Sequence, residues 1–217
     1  MHPEVIAANW QLIASGIALT LQISFVAIII GLVLGLLIAI ARVSGPRPLA
    51  AFATGYVEVM RNTPVLVQLL LIFLGLAEFR LRVAAVPAVM IALGLNNAAY
   101  LSEIIRGGFQ SVHKGQLEAA AALGLSPTVT FPEIVIPQAL RAVYPAMGNQ
   151  FIQVVLASSI GTVIGAPELT QQISFIDSRT FRTVELLLFL TLAYAVLTLL
   201  LSMLVRILGA RLERAYR

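Results

Sequence analysis

A small set of polar side chains stands where the chain is otherwise apolar. Asn96, Tyr100 and Glu103 are spaced i, i+4, i+7, with Asn97 beside them. On a helix this spacing puts the three on one face. A second group follows further on: Asn149, Gln150 and Gln153, then Ser158, Ser159 and Thr162. Buried amides, phenols and carboxylates are costly in an apolar setting, so they are candidate pathway groups by default. What they offer is hydrogen-bond donors and acceptors for a polar solute. The hydroxyls at 158, 159 and 162 read as helix-packing contacts. The glutamines at 150 and 153 are free to line a path. Glu168, in Gly165-Ala166-Pro167-Glu168, is either a solvated loop carboxylate or an acidic group that attracts a cationic solute.

Two charged pairs are expected at i, i+3 spacing: Glu103 with Arg106, and Glu58 with Arg61, the second as an interfacial pair with no transport role. Other chemistries find no support. There is no cysteine, and His2 and His113 lack neighbours at ligand spacing, so no metal site is expected. No GxxxxGK[ST] loop occurs, so any energy input comes from outside the chain.

The elements that position these groups follow from composition. Of 217 residues, 59% are hydrophobic and 11% charged, against about 25% charged in an ordinary soluble domain. Lipid is the expected solvent. A spanning helix takes about 20 apolar residues, and the chain offers five candidates: Gly16–Ala41, Pro64–Leu76 (extended backward as helix to about Ala51), Val83–Ile105, Pro145–Gly165 and Val184–Leu208. The first run reads as a retained span, because residues 1–15 carry no Lys or Arg and the run exceeds a signal sequence in length. With the N-terminus outside, inner segments hold Arg42, Arg47, Arg61, Arg106, Lys114, Arg141, Arg206, Arg211, Arg214 and Arg217. Outer segments hold Arg80, Arg82, Arg179 and Arg182. This bias predicts N-out, C-in. The expected fold class is therefore an all-α membrane protein of five transmembrane helices, one domain spanning 1–217.

Between the third and fourth spans lies a long inner loop at about 107–144. Gln116–Leu123 favours helix, with Glu118 near its start. Gly124 follows at a left-handed position, and Ser126-Pro127 starts a second short helix, which Pro132 is expected to kink. Pro137 and Pro145 mark the return to the membrane. Such an elbow serves either as a docking surface or as a hairpin lying on the lipid interface.

Glu118-Ala119-Ala120, three residues, Gly124, nine residues and Ile134-Val135-Ile136-Pro137 resemble the EAA loop of ABC importer permeases, with Ile136 in place of leucine. Arg61-Asn62-Thr63-Pro64-Val65-Leu66-Val67-Gln68 is similar to the signature of the polar amino acid group of that family. So is Ala99–Gly108 followed by Lys114-Gly115-Gln116.

The resemblance implies a type I importer fold in the bacterial inner membrane. It implies two permeases, identical or homologous, two ATPases that bind ATP and Mg, and an extracytoplasmic solute-binding protein. The chain itself would be no enzyme and hold no cofactor. Gln116, Glu118, Ala119, Ala120 and Gly124 would couple to the ATPase; Arg61, Thr63, Pro64, Gln68 and Pro137 carry the family pattern. For an amino-acid zwitterion, Asn96, Asn97, Tyr100 and Gln153 supply donors for the carboxylate and acceptors for the ammonium.

Two other classes fit less well. An ion-coupled secondary transporter would show internal repeats and charged pairs near the midplane. A non-transporting scaffold would leave the polar face of the third span unexplained.

Overall fold

The computed structural model describes residues 3–215; His2 and Arg217, read above, lie outside them. Among the described residues the chain forms nine helices and no strand: α1 (Pro3–Ala8), α2 (Trp10–Ser44), α3 (Arg47–Asn62), α4 (Val65–Glu78), α5 (Ala85–Ser111), α6 (Lys114–Ala122), α7 (Pro127–Ile164), α8 (Leu169–Thr180) and α9 (Thr183–Ala215). Four of these, α2, α5, α7 and α9, are long and apolar enough to cross a membrane. The number is five if the bent pair α3 and α4 makes one span.

The packing centre is the contact of α2 with α5. One stripe of α2 is buried and built of small residues: Thr20, Ser24, Ala27, Gly31, Gly35 and Ala39. Small side chains let two helix backbones approach closely, which is how helices associate where lipid removes the hydrophobic drive. At Gly31 a Cβ would run into the Asn97 side chain on α5. Outside this pair, α7 packs on α5, and α9 packs on α7 and α8. On α9, Leu188, Leu192, Leu199 and Met203 turn apolar surface outward, as expected of a helix facing lipid or another subunit.

Two sequence expectations need correction. The second span is not one helix extended back to Ala51. The chain bends by 108° between α3 and α4, because Pro64 has no N–H and forces Thr63 out of the helical region, to φ −114° and ψ 142°. The second short helix of the inner loop is also no separate piece. It is the first turn of α7, which runs on through Pro132, Pro137 and Pro145 into the membrane. Phe131–Val135 widens to a π-turn, just before Pro137, whose ring nitrogen cannot donate to the carbonyl four residues back. The prolines punctuate nothing here; the helix absorbs them.

The α2–α5 contact makes a test. Gly31→Ala should cost about 1–3 kcal/mol by overpacking, read as a lower melting temperature of the purified protein in detergent. Gly55→Ala, where a Cβ meets open space, should leave it unchanged or higher.

Candidate functional site

The bend at Thr63-Pro64 frees backbone carbonyls, and one side chain covers them. Gln68 Nε2 donates to Met60 O at 2.9 Å, to Thr63 O at 3.2 Å and to Thr63 Oγ1 at 2.8 Å. Its Oε1 accepts from Asn96 Nδ2 on α5 at 3.1 Å, and Asn96 Nδ2 also donates to Met60 O at 3.2 Å. Gln68 is buried among these partners. Thr63, Pro64 and Gln68, known above only as a pattern, thus form one device: proline breaks the helix, and glutamine satisfies the break and ties it to α5.

Asn96 also lines a cavity of about 250 Å³ between α5 and α7. Asn96 and Tyr100 stand on one wall, Gln150 and Gln153 on the other, with Leu93 and Ala157 among the apolar lining. Sequence spacing placed the two pairs on helix faces; the structure turns those faces toward each other. Among the described residues the Tyr100 hydroxyl and the Gln150 and Gln153 amides make no hydrogen bond. All three bring polar groups to the lining of the cavity that are not committed to a protein partner there.

Tyr100 also lines a second polar cavity of about 310 Å³, with Arg42, Glu58, Arg61, Asn62 and Glu103. Here Glu103 holds two cations, Arg106 one turn on and Arg42 of α2, the latter at 2.5 Å. Arg42 reaches further, to Thr54 Oγ1 on α3 at 3.3 Å. The local Glu103–Arg106 pair was legible; Arg42, 61 residues away, carries no sequence signal beyond its charge. The Glu58–Arg61 pair does not form: no ion pair joins them among the described residues. The Arg61 guanidinium instead lies over the Tyr100 ring, 5.4 Å from its centroid, an arrangement a π face favours.

Asn97 stands apart from both cavities. It is 1% exposed, wedged against α2, with Nδ2 directed at Ala27 O at 3.5 Å and Oδ1 unpartnered. Glu168 is no solvated loop carboxylate. It is fully buried and caps the N-terminus of α8, accepting from Thr170 N at 2.8 Å and Gln171 N at 2.9 Å, and from the Tyr194 hydroxyl at 3.1 Å. Burial pushes its carboxyl above the ordinary value, against the pull of those N–H groups.

Between α5 and α7, α6 and Gly124 build the elbow. His113 Nδ1 accepts from Gly115 N at 3.1 Å and caps α6. Gly124 takes φ +72°, with Leu125 N on Ala120 O and Gly124 N on Ala121 O, both at 3.0 Å, which is the double-bonded glycine stop of a helix. Ser126 precedes α7 without capping it; its hydroxyl meets Thr128 Oγ1 at 2.8 Å. Gln116, Glu118 and Ala119 are exposed while Ala120 is buried, and Leu117 and Leu123 add exposed apolar surface.

The profile of a family described as the inner membrane component of binding-protein-dependent transport systems matches residues 27–217. The chain belongs to this family. As such a permease component it is a multi-pass protein of the bacterial inner membrane, in an ABC import system. It is 38% identical to the glutamine transport system permease protein GlnP of Escherichia coli K12, over 94% of this chain and 92% of that one. It is 37% identical to the arginine transport system permease protein ArtQ of Bacillus subtilis, over 88% and 87%. In structure the permease superposes with a TM-score of 0.91 on a chain of an amino acid ABC transporter crystallised with histidines, at 39% identity, covering 97% and 99% of the two chains. A chain of the methionine transporter MetNI shares the fold, with a TM-score of 0.74 at 21% identity.

Glu168 gives this site its pH test. A carboxyl whose native pKa is raised binds its proton more readily folded than unfolded. Stability therefore falls as pH rises from the ordinary value near 4.5 through the raised native one. Melting of the permease in detergent across that range should show this slope, and Glu168→Gln should flatten it. Glu168→Ala, which removes the cap, should cost about 1 kcal/mol or more.

Proposed function

We propose that this permease carries polar amino acids into the cytoplasm, and that the cavity between Asn96, Tyr100, Gln150 and Gln153 holds the solute on its way. The observation that carries this is a polar chamber in an apolar bundle, lined by three amides and a phenol. A zwitterion needs donors and acceptors together, and these side chains have both. The glutamine and arginine systems named above support the solute class. Glu103, with Arg42 and Arg106, forms the inner boundary of the path. Asn97 and Glu168 serve it indirectly, by fixing α5 on α2 and the start of α8.

The whole chain works as one unit, N-terminus outside and C-terminus in the cytoplasm. Two permeases, identical or homologous, pair with two ATPases, which bind the ATP and Mg, and an extracytoplasmic binding protein delivers the solute. The exposed elbow from Gln116 to Gly124 is the docking surface for the ATPase, with Glu118 and Ala119 on its outer face. ATP-driven closure of the ATPases draws the elbows together, and the helices convert this into alternating access.

Two experiments follow in proteoliposomes holding the complete complex. Asn96→Ala, Tyr100→Phe and Gln153→Ala should each lower solute uptake several-fold, about the loss of one hydrogen bond, with assembly intact. Unchanged kinetics in all three would place the solute elsewhere. At the elbow, Glu118→Lys and Gly124→Asp should leave ATP hydrolysis running while uptake falls. The second is also strained, because φ +72° suits glycine. Normal uptake in both would remove the elbow from the coupling role.

A further inference from the structure

The hydrogen bonds at the helix break run in one direction, and that direction reaches the cavity. The carbonyls of Met60 and Thr63 only accept. Gln68 must therefore turn its Nε2 toward them, at 2.9 and 3.2 Å, which leaves its Oε1 facing α5. That oxygen also only accepts, so Asn96 must present Nδ2 to it, at 3.1 Å. The same nitrogen donates to Met60 O at 3.2 Å, and both of its hydrogens are then engaged. Rotating the Asn96 amide by half a turn would set Oδ1 against two acceptors, so the orientation follows from the network alone. What remains for the cavity is Asn96 Oδ1, which has no hydrogen-bond partner among the described residues.

We propose that Asn96 Oδ1 is the acceptor for the α-ammonium group of the solute, and that Gln68 is the positioning residue that holds it in this polarity. The solute's carboxylate then lies toward the side that can donate, where Tyr100, Gln150 and Gln153 bring O–H and N–H groups to the lining. The helix break thus acts as a specificity element: two orphaned carbonyls decide which end of a zwitterion faces α5. This rests on the cavity being the solute site, as proposed above.

The test uses the purified permease–ATPase complex in nanodiscs, without the binding protein, whose own selectivity would mask the effect. The probes are L-glutamine and L-arginine, each against the acid that lacks its α-ammonium, 4-carbamoylbutanoate and 5-guanidinopentanoate. The unsubstituted complex should prefer the amino acid by about tenfold or more, the worth of one charge-assisted hydrogen bond. Asn96→Leu should cut that preference to about threefold or less. Gln68→Leu should do the same, since Asn96 then rotates freely, and the double variant should be no worse than either single one. Asn96→Ala and Gln68→Met repeat the comparison where leucine is not tolerated. A Gln68 that served only stability would lower the melting temperature and leave the preference intact, and that result overturns the proposal. Equal binding of each amino acid and its des-amino partner by the unsubstituted complex overturns it too, while Gln153→Ala, if it weakens that binding, keeps the cavity as the solute site. No binding of any probe, with uptake unchanged in the cavity variants, removes the cavity reading and this one with it.

Discussion

A helix that breaks leaves backbone carbonyls without their usual partners, and a folded chain must satisfy those loose ends by other means. In this permease the break at Thr63-Pro64 is satisfied by Gln68, and much else depends on that arrangement. It allows α3 and α4 to meet at 108°. Through Asn96 it joins the bent pair to α5, the helix that also presents Tyr100 and Glu103. Leaving such groups unmet would cost about 1–3 kcal/mol each, a large share of the few kcal/mol by which proteins are stable. The glutamine is thus a structural requirement before it is anything else.

The close approach of α2 to α5 has a related effect. With glycine, alanine and small hydroxyl residues at the contact, the two helices leave no room between them, and Asn97 fills what little there is. Polar groups that find room lie on the opposite side of α5, where it faces α7. Tight packing on one face and a polar chamber on another are two outcomes of one helix, residues 85–111. Its sequence alternates them: Asn97 to the packed side, Asn96 and Tyr100 to the open one.

Much of this was legible in the sequence and some was not. Four helices came out near the expected places, because long apolar runs have few alternatives. The i, i+4 and i, i+3 spacings identified Asn96 with Tyr100 and Gln150 with Gln153, since spacing along a helix is local information. That the two faces meet is tertiary and was not. The same limit hid Arg42 as a partner of Glu103, and let Arg61 be paired with Glu58 when a ring on another helix held it instead. Glu168 misled for a different reason: an acidic residue after Gly-Ala-Pro reads as loop, and only burial and the following helix reveal a cap. At the prolines the local rule itself was outweighed. Pro64 broke its helix, while Pro137 did not, because a π-turn before it removed the conflict.

That π-turn has a mechanical consequence. It lies between the elbow at Gly124 and the long remainder of α7, which carries Gln150 and Gln153. From Val135 to Gln150 is fifteen residues of helix, roughly 22 Å at 1.5 Å per residue. A rotation of about 5° at the turn would then swing the cavity wall by roughly 2 Å at that radius, more than enough to part hydrogen-bonded groups whose tolerance is a few tenths of an ångström. Seen this way, α7 is a lever with its fulcrum near one end, and a small displacement at the elbow arrives magnified at Gln150 and Gln153.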